Sequence, residues 1–214
     1  MKTMTTHARR RLATAAALAA LGVPLSMASF PAHAGDDTFT FPMVRSPSLS
    51  TSPNCVPNAR ATVRIEPGGP VEEMHVRVEG LPPDTEFDFF VIQVPNGPFG
   101  MAWYQGDIET NAYGVGRGKF IGRFNEETFI VANPPSVAAP SVHHNAFPDA
   151  TSNPVTGPLH TFHLGLWFNS PQDAVKAGCP GNTTPFNGEH NAGVQVLNTS
   201  NFKDLEGPLL SVKP

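Results

Sequence analysis

The stretch that decides the fold is Ala61-Thr62-Val63-Arg64-Ile65-Glu66, closed by Pro67-Gly68-Gly69-Pro70 and followed by Met74-His75-Val76-Arg77-Val78-Glu79. In each arm every second residue is apolar and its neighbours are polar or charged, the period-2 signature of a half-buried strand. The Pro-Gly-Gly-Pro between the arms reads as a turn. Ala61, Val63, Ile65, Met74, Val76 and Val78 should face a core, and His75 should face solvent.

Working outward, Leu81-Pro-Pro-Asp84 makes the next turn and Glu86 to Val94 the next strand. Phe87, Phe89 and Val91 fall on one face of it, while Phe90, Ile92 and Val94 fall on the other. A strand apolar on both faces is central and covered twice, or carries a bulge that shifts its parity. Double cover is the expectation, because a Pro-rich segment further on needs a surface to pack on. Asp84, Glu86 and Asp88 read as a solvated strand end rather than a catalytic carboxylate pair. Strands are also expected over Met101–Ile108 and Val115–Phe124. In the latter, Gly116, Gly118, Phe120, Gly122 and Phe124 share a face, which predicts close approach of a backbone or a large aromatic. Arg117, Lys119, Ile121 and Arg123 form its solvated face.

Residues 133–158 hold six prolines and no periodicity, and read as a long loop of the kind that often carries function. Leu159–Phe168 returns as a strand with Phe162, Leu164, Leu166 and Phe168 on one face. Ser170-Pro171-Gln172-Asp173 is a capped helix start, and Gly178 stops that helix, so one short helix is predicted near 171–177. Ala192–Leu197 is a further strand, and the C-terminal tail has room for one more.

Composition agrees with this pattern. Proline (23) and glycine (19) make up about a fifth of the 214 residues, too many for a coiled coil or helical bundle. The 15 Phe and 40% hydrophobic content exclude a disordered acidic tail. The fold class expected from pattern and composition is all-β, in the size range of a single β-sandwich or barrel.

Residues 1–34 read as a secretory signal peptide. Lys2, Arg9, Arg10 and Arg11 form a positive region, Leu12–Leu25 is an apolar stretch too short to span a bilayer, and Ala32-His33-Ala34 is a cleavage pattern. The arginine run leaves Sec and twin-arginine export both open. Residues 35–60 are Ser/Pro/Asn-rich and are expected to be an extended N-terminal segment, with 61–214 as a single β-sandwich domain. Cleavage would leave ten basic residues against eighteen acidic ones, a net charge of −8 without a basic cluster. Nucleic acid is therefore a poor partner, and no transmembrane segment is expected after cleavage. Cys55 and Cys179 are an even pair in a chain bound for an oxidising compartment, and a disulfide is the simplest reading.

Gly80-Leu-Pro-Pro-Asp-Thr85 before one strand and Thr110-Asn-Ala-Tyr-Gly-Val-Gly116 before the next resemble a recurrent pattern of bacterial exported immunoglobulin-like sandwiches. Asn111 stands where that pattern usually has an acidic residue. Gln93, Trp103-Tyr-Gln-Gly-Asp107 and His163-Leu-Gly-Leu-Trp-Phe-Asn-Ser-Pro171 are similar to uncharacterised secreted proteins of high-GC Gram-positive bacteria, over most of residues 60–205. The resemblance implies an antiparallel β-sandwich of immunoglobulin-like or Greek-key type and export, and brings no assigned activity.

Two functions follow as expectations. The first is an exported, non-catalytic binding or cell-envelope interaction domain, with Trp103, Tyr104 and Trp167 as its surface and an extracellular protein or carbohydrate as partner. Aromatics with polar tips suit such interfaces. The second is an exported metal protein or enzyme. His143, His144, His163 and His190 crowd the second half and could hold Zn²⁺ or Cu²⁺. No H-x-H, H-E-x-x-H, C-x-x-C or G-x-S-x-G motif supports it, so no cofactor is expected from motifs alone.

Overall fold

In a computed structural model of the chain, the described residues are 38–124, 128–129, 159–185 and 190–212. The signal peptide expected at 1–34, the Pro-rich stretch 133–158, and His143 and His144 lie outside them.

The strands in chain order are β1 (Phe39–Arg45), β2 (Arg60–Pro67), β3 (Glu72–Glu79), β4 (Glu86–Ile92), β5 (Ala102–Glu109), β6 (Gly116–Gly122), β7 (Thr128–Phe129), β8 (Leu159–His160), β9 (His163–Phe168), β10 (Thr184–Pro185), β11 (Asn191–Ala192) and β12 (Gln195–Asn198). One helix, α1 (Pro171–Lys176), follows β9. Eight strands form one antiparallel sheet in the order β5-β4-β9-β12-β1-β2-β3-β6, and two-stranded ribbons β10-β11 and β7-β8 stand beside it. Its two end strands meet at an isolated bridge between Thr110 and Gly116, so the sheet nearly closes on itself.

The 61–79 segment folds as its alternation predicts. Val63 pairs with Val76 and Ile65 with Met74, and all four are buried in the core. Phe87, Phe89, Leu164 and Leu166 meet them from the opposite half. The glycine face of β6 admits aromatics, as expected. A Cβ on Gly118 would lie 2.7 Å from the Phe120 ring and one on Gly106 3.1 Å from it, and that ring stacks on Phe89 at 5.1 Å. Helix α1 starts where expected, with the Ser170 hydroxyl accepting a hydrogen bond from the Asp173 amide at 3.1 Å.

The two turns that carried the resemblance lock together. The Thr110 hydroxyl accepts from the Thr85 amide (3.0 Å) and donates to the Pro82 carbonyl (2.6 Å). Asn111 Oδ1 accepts from the amides of Tyr113 and Val115. Gly114 has a positive φ of 69° and passes so close to Leu81 that a Cβ would lie 2.0 Å from its carbonyl oxygen.

Four expectations need correction. Leu159–Phe168 is not one strand but two, β8 and β9, which join different sheets. Residues 35–60 are not merely an extended segment: β1 pairs with β2 over 39–43 and with β12 over 44–45, and so joins the two halves of the sheet. Pro42 disguised it, since proline cannot donate to a ladder. The Asn201 side chain reaches the Pro42 carbonyl on the side away from β2, where a missing N–H costs no ladder bond. Ala192–Leu197 is not one strand. Gly193 passes against Ser170, where a Cβ would lie 2.6 Å from a carbonyl oxygen, and splits the run into β11 and β12. The tail forms a 3₁₀ turn at Pro208–Ser211, burying Leu209, rather than a strand.

Cys55 and Cys179 form a disulfide, with sulfurs 2.00 Å apart. Arg45 organises the loop that presents Cys55, donating to the carbonyls of Leu49, Ser52 and Cys55. Among the described residues no helix is long and apolar enough to cross a membrane.

Candidate functional site

Strand β4 is flanked by β5 and β9 and is covered on both faces, as its sequence suggested. A bulge is present too, but it lies on β5: Phe89 pairs with Gly106 and Phe90 with Tyr104, leaving Gln105 as the extra residue. The parity of β4 is therefore kept. Phe87, Phe89 and Val91 enter the main core. Ile92 packs outward with Trp167 and Ala192, flanked by Phe90 and Phe99.

This outer cover is built from two loops. The β4–β5 hairpin is closed by the Gln93 amide donating to the Met101 carbonyl at 2.8 Å and contains a cis Gly97–Pro98 bond. It is tied down where the side chains of Gln195 and Asn198 both donate to the Pro95 carbonyl. The β10–β11 ribbon is pinned by the Thr184 hydroxyl on the Gly193 carbonyl at 2.9 Å. Trp167 lies between them, edge-on to Phe90 (5.2 Å) and to Phe99 (5.0 Å). Its ring covers Gly165, where a Cβ would come within 2.3 Å. The loops leave a cavity of about 430 Å³, floored by Phe90, Ile92 and Trp167 and rimmed by Phe99, Ala102 and Pro185.

One side-chain row along, the same face turns acidic. Glu86 pairs in register with Glu109, and Asp88 with Asp107 on one side and Trp167 on the other. Glu86, Asp107 and Glu109 are exposed, but Asp88 is fully buried. Neither oxygen of Asp88 has a hydrogen-bond partner, and His190 Nε2 stands 3.8 Å from it. Burial, reinforced by the charges of Asp107 and Glu86 and opposed by His190, raises its pKa to about 7. Burial and the neighbouring Asp107 likewise push the Glu86 carboxyl up. The Tyr104 hydroxyl donates to Asp107 Oδ1 at 2.5 Å, and its pKa is raised by burial and that bond. The expectation of a solvated strand end thus holds for Asp84 and Glu86 but not for Asp88.

Tyr104 and Trp167 share this face through Phe90, which contacts both rings. Trp103, its neighbour on β5, takes the opposite side and is half exposed at 48%. The three aromatics do not form one platform. His163 is buried, and its Nε2 donates to the Lys203 carbonyl at 3.0 Å while Nδ1 faces the Thr199 hydroxyl at 2.8 Å. Both ring nitrogens are occupied, and burial holds its pKa below the usual value. His190 lies beside Asp88, away from that network. Among the described residues no set of three His, Cys, Asp or Glu side chains is placed to hold a metal ion. Phe99, Pro185 and the burial of Asp88 escaped the sequence reading. The doubled apolarity of 86–94 and the expected aromatic surface of Tyr104 and Trp167 were the signals that pointed to this face.

Fold and site together define a β-rich, disulfide-containing protein with an apolar cavity on an outer sheet face. The chain matches no protein-family model, and no curated protein matches it.

Proposed function

We propose that this protein is an exported, non-catalytic binding domain of the immunoglobulin-like kind, and that its ligand enters the cavity over β4. The observation that carries the reading is the cavity itself. Its floor and most of its rim are aromatic or aliphatic, and its size falls in the usual range of small-molecule sites, about 300–1,000 Å³. Export is supported by the leader-like sequence of 1–34 and by the Cys55–Cys179 bond, which suits an oxidising compartment.

The test is displacement of an uncharged apolar fluorescent probe, N-phenyl-1-naphthylamine, by neutral aromatic alcohols. Saturable one-to-one binding that Ala102→Trp abolishes, with the fold retained by circular dichroism, is the expected result. Unchanged binding in that variant would remove the cavity as the site. Export is checked by the mass of protein recovered from the medium, which should begin at Gly35.

A further inference from the structure

The acidic row beside the cavity lacks the compensation given to acids elsewhere. On the outer face of β2-β3-β6, Glu73 has Lys119 at 2.7 Å, Glu79 has Arg60 at 2.6 Å and Arg77 beside it, and Glu66 is paired with Arg64. Among the described residues no Lys or Arg is within ion-pair distance of Glu86, Asp88, Asp107 or Glu109. Like charges directly opposite each other on neighbouring strands are destabilising, and here two such pairs stand side by side. Asp88 adds a second, independent observation: a fully buried carboxylate with neither oxygen hydrogen-bonded and with His190, 3.8 Å away, as its ion-pair neighbour.

We propose that the cavity takes a small organic amine, its apolar body against Phe90 and Trp167 and its ammonium over Asp107 and Glu86 with Asp88 beneath. This rests on the cavity being the binding site, as set out above. Asp88 and Phe90 are two residues apart on one face of β4, a separation of about 7 Å. A three- or four-carbon chain between an aromatic ring and an ammonium bridges it. Tyr104 joins the two parts, with its hydroxyl on Asp107 and its ring 5.6 Å from that of Phe90. Aromatic faces also attract ammonium groups directly. A cation thus adds positive charge to a carboxylate row that otherwise has His190 beside Asp88 and neutral donors from Asn169 and Tyr104. The apolar body fills the cavity, whose open-sided volume of about 430 Å³ fits a small molecule rather than a protein surface.

The experiment compares 4-phenylbutylamine, 4-phenylbutan-1-ol and 4-phenylbutyrate at pH 7.5 and low salt, followed by Trp167 fluorescence in a Trp103→Phe background. The amine should bind at least tenfold more tightly than the alcohol, and the carboxylate more weakly than either. Asp107→Asn and Glu86→Gln should each erase most of the amine's advantage and leave the alcohol unchanged. Equal binding of amine and alcohol would overturn the amine proposal while keeping the cavity as a site. Failure of all three to bind would overturn both readings. Tighter binding of N-acetyl-Phe-Lys-amide than of the amine would overturn the small-molecule assignment in favour of a polypeptide.

Discussion

The outer faces of the two halves of the sheet obey the same alternation and reach opposite results. On β2-β3-β6 the outward residues are Arg60, Arg64, Glu73, His75, Arg77 and Lys119, at least partly exposed and tied by cross-strand ion pairs. On β5-β4-β9 they are Phe90, Ile92, Trp167 and Asp88, with loops folded over them. A sheet face is thus not polar or apolar by its strand pattern alone; what packs on it decides. The charged face pairs its acids with Lys and Arg across strands, whereas the β4 face carries an apolar cavity and acids with no Lys or Arg within ion-pair distance among the described residues. That contrast is where function is to be sought.

The comparison is broken most severely by Trp167→Ala, which removes the centre of the β4 cover. It should cost about 3–5 kcal/mol of unfolding free energy in urea titrations followed by circular dichroism. A loss below about 1 kcal/mol would mean that the cover contributes little to stability.

Next in size is the pH effect of Asp88. Its folded-state pKa of about 7 lies above the ordinary 3.8, so the folded chain holds this proton more tightly than the unfolded one. The resulting stability is fully present below about pH 4, is lost as pH rises through about 7, and is flat above. Asp88→Asn should remove a decline of about 2–4 kcal/mol between pH 4 and 8. The difference between wild-type and variant stability curves is the measurement, and parallel curves would refute it.

Gly165→Ala should cost about 1–3 kcal/mol, because the Trp167 ring occupies the space a methyl needs. It should also weaken binding of 4-phenylbutan-1-ol. The smallest effect belongs to the charged face. Lys119 holds the exposed Glu73 carboxyl below the usual range, yet Lys119→Ala should leave the urea midpoint unchanged within error, since exposed pairs are screened by water and salt.

Much of the architecture was legible because it is local. The alternation at 61–66 and 74–79, the glycines of 116–122 and the Ser170 cap each carry their own physical reason within a few residues. Strand β1 was harder to see, since Pro42 interrupts a Phe39-x-Phe41-x-Met43 alternation that reads well once its proline faces away from the ladder. The site was legible in part, through the two apolar faces of 86–94 and through Tyr104 and Trp167 as surface aromatics. What covers the second face comes from Phe99, Trp167 and the β10-β11 ribbon, far apart in sequence. The burial of Asp88 has the same nonlocal origin. A local reading assigns an aspartate near a turn to solvent, and only the register with Trp167 and the approach of His190 place it inside.

Strand β1 also sets an order of events. It is among the first elements of the sheet to be synthesised, and its pairing with β2 can form early, across the connection 46–59. Its pairing with β12 joins Val44 to Asn198, a span of about 150 residues, and such long-range closure is slow and entropically costly. The half containing β2 and β3 can therefore assemble early, while the half containing β9 and β12 waits for the end of the chain. The β5-β4-β9 face, with its cavity, is the last part of the sheet to be completed.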